Sequence, residues 1–364
     1  MTRGGVFVMQ NKKCRNQDQA DRLNRSGPAW RFSRFDAPET NDTCTRTRLY
    51  AICRFMIVCS SLIIFATSDF LPAQAADVDS STSRSVLVDA AWIMDHVDSP
   101  HVSVLELGPD IRKYRDGHIP GAHFVHWIDD ITAPSDRAMY TVAPPEMIQM
   151  MLRRLGIENS TTIVLYDDLS NRVSARMFWT LRYYGHTAIR ILDGGRSAWS
   201  VAGHEFVSET PVAERSEYNI TRTLEKHRIR MNRIRKYLGR SDIAIVDGRS
   251  PAQYAGETPG TVYHTGRPHD QSGHIPGAVN ILWQDNFRAD GTFKSSEQLR
   301  RLYEDRGVIP DREVITYCNE GLHAASPWFV LTELLGYHSV CLYDESMAEW
   351  ANKSEMPVMT GDLP

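Results

Sequence analysis

The sequence predicts an α/β protein in which one domain occurs twice, each copy a parallel sheet with helices on both faces. Three observations predict this. First, Asp116-Gly-His-Ile-Pro-Gly-Ala122 returns as Ser272-Gly-His-Ile-Pro-Gly-Ala278. Second, further landmarks recur at a constant offset of 151 residues: Gly156 and Gly307, Asp167 and Cys318, Gly185 and Gly336, Asp193 and Asp344, Trp199 and Trp350. The first motif has an offset of 156, so a small insertion precedes it in the second copy. Third, the apolar runs are short and do not alternate, as in strands buried on both faces.

Along the chain the first element is an extension. Residues 1–50 are polar, with arginines scattered among Asn, Asp and Thr and no sustained period. Arg54 then precedes the uncharged run 55–67, short for a membrane span but suited to the apolar part of a signal peptide. Ala73-Gln74-Ala75 follows as a small-x-small cleavage pattern before Ala76-Asp77. The segment 49–75 is expected to direct export, to the periplasm or outside the cell, with removal of residues 1–76. An uncleaved membrane anchor is the alternative; after cleavage no stable membrane contact is expected. The 50 residues upstream exceed a usual signal, which a start site assigned too early would explain.

Residues 1–76 hold 11 Lys+Arg and 6 Asp+Glu, leaving 30 basic and 39 acidic side chains for the remainder. An acidic body lacks the basic stripe a nucleic-acid partner needs, so none is expected. The first copy is expected over 77–210, with strands at 102–107, 163–166 and 189–192 and helices at 145–155 and 174–184. A linker falls in 203–223, where polar and charged residues break the periodicity. The second copy, 224–364, repeats the pattern, with strands at 243–247, 314–317 and 340–343 and helices at 297–306 and 328–335. In such a fold sites lie at the carboxyl ends of strands.

Six cysteines are present, and Cys14, Cys44, Cys53 and Cys59 precede the expected cleavage site. Cys318 and Cys341 remain, too few for a disulfide framework. Cys318 ends a strand and opens the loop Cys318-Asn319-Glu320-Gly321-Leu322-His323, which leads into a helix beginning near Ala324. Pro327 falls in its first turn, where a missing N–H is harmless. Free N–H groups there favour an anion, so the thiolate is expected to be stabilised below the free value of about 8.5. The same groups could hold a persulfide, and Gly321 lets the backbone curl around the sulfur. The plainer reading is a small buried apolar residue, which is how Cys341, mid-strand between Val340 and Leu342, is read.

Together the Gly-His-Ile-Pro-Gly-Ala turns, Asp247-Gly-Arg249-Ser250, the Cys318 loop and the run from Tyr343-Asp344 to Trp350 resemble rhodanese, over roughly residues 85–357. The resemblance implies two tandem rhodanese-like domains, of which only the second is catalytic; the first has Asp167 where the second has Cys318. It implies a sulfurtransferase that moves sulfane sulfur from thiosulfate or a related donor to a thiophilic acceptor, cyanide in an assay, through a Cys318 persulfide. Arg249, Asn319, Glu320, Gly321, Leu322 and His323 would bind substrate. No metal or cofactor is called for, and a monomer is expected. His118 and His274, present in both copies, are read as turn-stabilising, and Trp199 and Trp350 as core.

The six-residue loop has the sulfurtransferase length; rhodanese-fold phosphatases use seven residues and a late Arg, absent here. Thiosulfate-using relatives typically place Arg and Lys after the cysteine, and mercaptopyruvate-using relatives Gly and Ser, with a further Arg where Ala255 stands. Asn319 and Glu320 meet neither pattern. A 3-mercaptopyruvate sulfurtransferase and a non-catalytic sulfur- or selenium-binding module therefore stay open as alternatives.

Overall fold

The computed structural model of the chain describes residues 86–135, 138–263 and 265–364. The extension 1–76, with the expected export segment and four cysteines, lies outside the described residues.

Twelve short strands are found among the described residues. They are β1 (Leu87–Val88), β2 (Val102–Gly108), β3 (His123–His126), β4 (Thr132–Ala133), β5 (Thr141–Val142), β6 (Thr162–Asp167) and β7 (Ile189–Leu192), then β8 (Arg228–Ile229), β9 (Ile243–Asp247), β10 (Ala278–Asn280), β11 (Glu313–Tyr317) and β12 (Val340–Tyr343). The first sheet has the order β1-β7-β6-β2-β3 and the second β8-β12-β11-β9-β10, so the strands of one copy map onto the other one by one. Every neighbouring pair in both sheets is parallel. The pair β4–β5 is a small antiparallel hairpin in the first copy.

Side-chain alternation along each strand sends successive residues to opposite faces. On β6, Ile163 and Leu165 join a central core, while Val164 and Tyr166 join an outer one. On β11, Val314 and then Cys318 face the central core, and Ile315 and Tyr317 face an outer one. The central core draws on both copies. It is filled by the helix Arg172–Tyr183 and by the helix Ala325–Phe329, which continues as a π-helical turn, Val330–Leu334.

Equivalent residues meet across this interface. Arg172 approaches His323 at 3.3 Å, Phe178 packs edge-on against Phe329 at 4.8 Å between centroids, and Arg182 pairs with Glu333 at 2.7 Å. Each pair is 151 residues apart and the order is the same on both helices, so they run side by side in one direction. Two reciprocal contacts complete the pattern. Asp193 accepts from the Phe293 N–H at 2.8 Å, and Asp344 accepts from the Val142 N–H at 2.8 Å.

The six anticipated strands form at their expected places, with ends differing by a residue at most. Of the edge strands, β1, β8 and β10 are two or three residues long, too short to carry a readable period, and the four-residue β3 begins and ends with histidine rather than giving an apolar run. The last predicted helix, 328–335, begins three residues earlier and ends as a π-turn. Residues 211–224 hold no helix or strand and pack along the first copy: Ser216 N–H bonds Arg153 O, Ile220 N–H bonds Gln149 Oε1 and Leu224 N–H bonds Tyr183 O. The connection thus belongs to the first copy's surface, beyond the boundary expected at 210.

Candidate active site

Strand β11 ends at Tyr317, and Cys318 follows on its inner face with 1% of its surface exposed. The loop curls back through Gly321, whose φ of +77° is left-handed. A Cβ there would collide with the Asp344 carbonyl, so glycine is required. Ser346, at the start of the helix Ser346–Trp350, holds the loop base: its Oγ accepts from Cys318 N–H and Gly321 N–H at 3.1 Å each and donates to Tyr343 O at 2.7 Å. Ser346 itself has φ +52°, an unfavourable conformation for a residue with a Cβ; its counterpart in the first copy is Gly195. Three hydrogen bonds offset that strain.

Backbone N–H groups of Ala324, Glu320, His323 and Gly321 stand around the Cys318 sulfur and favour its thiolate. The anion-holding loop expected from sequence is therefore present. The lowered thiol pKa is not: complete burial pushes the Cys318 thiol up and outweighs those four donors. The first copy shows the same loop holding a carboxyl group in place of the sulfur. Asp167 Oδ1 accepts from the N–H groups of Leu169 and Asn171 at 2.7 and 2.9 Å. Its Oδ2 accepts from Val173 N–H and from the N–H and hydroxyl of Ser174 at 2.7–3.0 Å. A carboxylate oxygen reaches one bond beyond the position of a cysteine sulfur, as the outer atom of a persulfide does.

Cys318 opens on a cavity of about 180 Å³ between the two copies, walled by Trp127, Tyr140, Thr261, Tyr263, Asn319, Glu320, Leu322 and His323. Trp127 and Tyr140 come from the first copy, and with Tyr263 their ring centroids lie 5.5–6.0 Å apart. His323 stacks on Trp283 at 4.9 Å, and burial, with the Arg172 cation beside it, brings its imidazole down to about 3, so it is neutral. Asn319 Nδ2 donates to Gln253 Oε1 at 3.3 Å.

Glu320 is 6% exposed, and its Oε2 accepts from the Tyr263 N–H at 2.7 Å while Oε1 is buried without a partner. Burial raises this carboxyl to about 7. Among the described wall residues there is no Lys or Arg.

Five of the expected site residues thus meet at one cavity, namely Cys318, Asn319, Glu320, Leu322 and His323, and Gly321 shapes the loop behind them. Arg249 is the correction. It is 2% exposed and does not line the cavity. Its guanidinium bonds both Asp247 oxygens at 2.6–3.1 Å and the Gly273 carbonyl at 2.6 Å. In the first copy Arg196 does the same, bonding both Glu106 oxygens at 2.7–2.8 Å and Gly117 O at 2.5 Å. A role that recurs in the copy without a cysteine is anchorage of the Gly-His-Ile-Pro-Gly turn.

His118 and His274 also act alike, each bonding the carbonyl of a stacked tyrosine, Tyr114 or Tyr254, at 2.8 Å. Cys341 is buried, and burial, with Glu313 nearby, pushes its thiol up to about 12, in keeping with a core residue. Trp199 and Trp350 are likewise core. Sequence reasoning missed Trp127, Tyr140, Tyr263, Arg172 and Ser346. The one available signal was the 172–183 helix, apolar or bulky on most sides and so destined for burial between layers.

Two parallel-sheet domains with a cysteine loop at a strand's carboxyl end define a tandem α/β protein with a candidate thiol site. The Rhodanese-like domain family matches residues 89–202 and 231–353, and the chain belongs to this family in its tandem form. It is 37% identical over 282 residues to the sulfur carrier protein TtuD of Thermus thermophilus, covering 76% of this chain and 97% of that one. It is 34% identical over 280 residues to the thiosulfate sulfurtransferase of Corynebacterium glutamicum, covering 76% and 91%. The solved structure of YnjE superposes with a TM-score of 0.67 at 26% identity, covering 76% of this chain and 68% of that one. An anaerobic ergothioneine biosynthesis enzyme from Chlorobium limicola, solved with trimethyl histidine, superposes at 0.66 with 24% identity over 76% and 70% of the chains, a likeness of fold. The names of the two sequence relatives support sulfur transfer at family level.

Proposed function

We propose that Cys318 takes sulfane sulfur from a small-molecule donor as a persulfide and yields it to a thiophilic acceptor. The carrying observation is the loop itself: Cys318 opens it at the carboxyl end of its strand, and in the equivalent loop of the first copy four backbone N–H groups hold the Asp167 carboxyl. With thiosulfate, the Cys318 sulfur attacks the outer sulfur, the S–S bond breaks with its electron pair on departing sulfite, and the outer sulfur stays on Cys318. The proton of the thiol passes to the persulfide or to solvent. The cycle has two half-reactions, so ping-pong kinetics are expected.

Buried Glu320 and the absence of Lys or Arg among the described wall residues favour a donor less anionic than thiosulfate, such as an organic persulfide or polysulfide. The test is a donor screen with cyanide as acceptor and intact-mass detection of one added sulfur atom. Cys318→Ser is expected to stay folded and lose both adduct and turnover, while Cys341→Ser keeps them. Full turnover in Cys318→Ser would sink the proposal. The likeness to a sulfur carrier protein favours a second reading, in which the persulfide is handed to a macromolecular acceptor. A stoichiometric adduct without turnover toward any small acceptor would select it. Export through the 49–75 segment is a further proposal, checked by sequencing the mature N-terminus, expected near Ala76 or Asp77; a chain beginning at Met1 would reject it.

A further inference from the structure

We propose that Glu320 is the proton acceptor for a neutral thiol that removes sulfur from Cys318. This rests on the persulfide reading above and names the acceptor class for the same site. Three observations on geometry carry it. Glu320 and Cys318 wall the same cavity of about 180 Å³. Glu320 also walls a neighbouring cavity of about 190 Å³ with Ser135, Ala138, Val262 and Arg267, so it is shared by both. Finally, Oε2 is fixed by the Tyr263 N–H, while Oε1 is buried with no hydrogen-bond partner.

A buried carboxylate oxygen without a donor is unfavourable unless a ligand supplies one. A thiol supplies an S–H. The aromatic walls, Trp127, Tyr140 and Tyr263, suit a small neutral molecule better than a dianion. Burial also matches the carboxyl to the task, since a base near 7 is well placed against a thiol of about 8.5 at neutral pH.

The step balances without an oxidant. The thiol proton moves to a Glu320 oxygen, and the acceptor sulfur attacks the outer sulfur of the persulfide. The bond from that sulfur to Cys318 Sγ breaks, its electron pair staying on Sγ. The acceptor leaves as a persulfide, and Glu320 returns the proton to Cys318, whose buried thiol form is favoured. The described titratable and charged groups around Glu320 are Cys318 and His323 of its own loop, Tyr263, Tyr140 from the first copy, and Arg267 across the second cavity. His323, at about 3, does not titrate near neutrality, and burial raises Cys318 and Tyr140.

The test loads the full chain with inorganic polysulfide, confirms the adduct on Cys318 by mass, and follows its discharge to 2-mercaptoethanol and to sulfite. In the native protein, discharge to the thiol should rise with pH through about 7 and level off. In Glu320→Gln, which keeps an acceptor for the Tyr263 N–H, it should fall about 100-fold at pH 7, the lower end of general-base effects. The deficit should close toward the thiol's own pKa. Discharge to sulfite, which needs no base, should quicken because a like charge is gone. Glu320→Asp, still an acid–base group, should discharge to the thiol faster than Glu320→Gln. A thiol rate in Glu320→Gln within about 3-fold of native at pH 7, against that expected effect, or a joint fall with thiol and sulfite, would overturn the proposal. Failure to load Cys318 at all would instead overturn the persulfide reading on which it rests.

Discussion

Glu320 and Arg249 show how far single residues speak before their surroundings are known. Because burial raises Glu320 to about 7, its charge develops between the unfolded value near 4.5 and about 7. The folded state is therefore penalised as pH rises through that window, by about 3 kcal/mol at most. Glu320→Gln is expected to raise Tm at pH 8 and to leave it near native at pH 5, as thermal melts at both pH values would show. The same charge should weaken thiosulfate binding above pH 7, so KM for thiosulfate should drop as pH falls to 6, and Glu320→Gln should flatten that dependence. Arg249→Ala is expected to leave Asp247 buried and unpaired, destabilising the fold by about 3–5 kcal/mol, measured by denaturant unfolding. A selective rise in donor KM with stability intact would restore Arg249 to the binding site. Cys318 was legible because the repeat isolates it at a strand end. Arg249 was misread because its partner, Asp247, stands two residues away, and sequence does not reveal that both are buried.

At the scale of elements, the loop Cys318–His323 depends on a residue 28 positions later. Ser346 Oγ caps two of its N–H groups, and the same hydroxyl keeps Ser346 in a left-handed conformation. Ser346→Gly relieves the backbone strain, as Gly195 does in the first copy, but removes the acceptor. The expected outcome is a loss of about 1–3 kcal/mol at the loop and a slower loading of Cys318, read by the rate of adduct formation. Unchanged loading would mean that the loop holds its shape through Gly321 and the helix behind it. The inner strands were readable because four to seven residues, three to five of them buried, give an apolar run; the edge strands were not, because pairing with a neighbour, rather than their own pattern, makes them strands. The π-turn at Val330–Leu334 had no sequence signal, and the Thr332 hydroxyl bonded to Trp328 O at 2.8 Å is one local competitor to regular helix there.

The whole molecule has a central core drawn from both copies, with the reactive cavity walled by both. Residues 224–364 alone would expose that core and lose Trp127 and Tyr140, so this half is expected to aggregate and to carry no sulfur-transfer activity when expressed by itself. Soluble, active protein from that half would show that the first copy is dispensable. The repeat made the duplication legible, but not that the two copies share one core, since contact between copies has no period along a chain. The reciprocal bonds from Asp193 to the Phe293 N–H and from Asp344 to the Val142 N–H have a further consequence. They are the isologous contacts of a twofold homodimer, here made by two halves tied end to end. A tether of this kind turns association into an intramolecular event at an effective concentration in the millimolar range. The covalent link then serves encounter rather than cohesion, and once assembled the halves need it little. A chain cut after Thr223 should stay together through gel filtration with its activity, and halves expressed separately should regain activity only when combined.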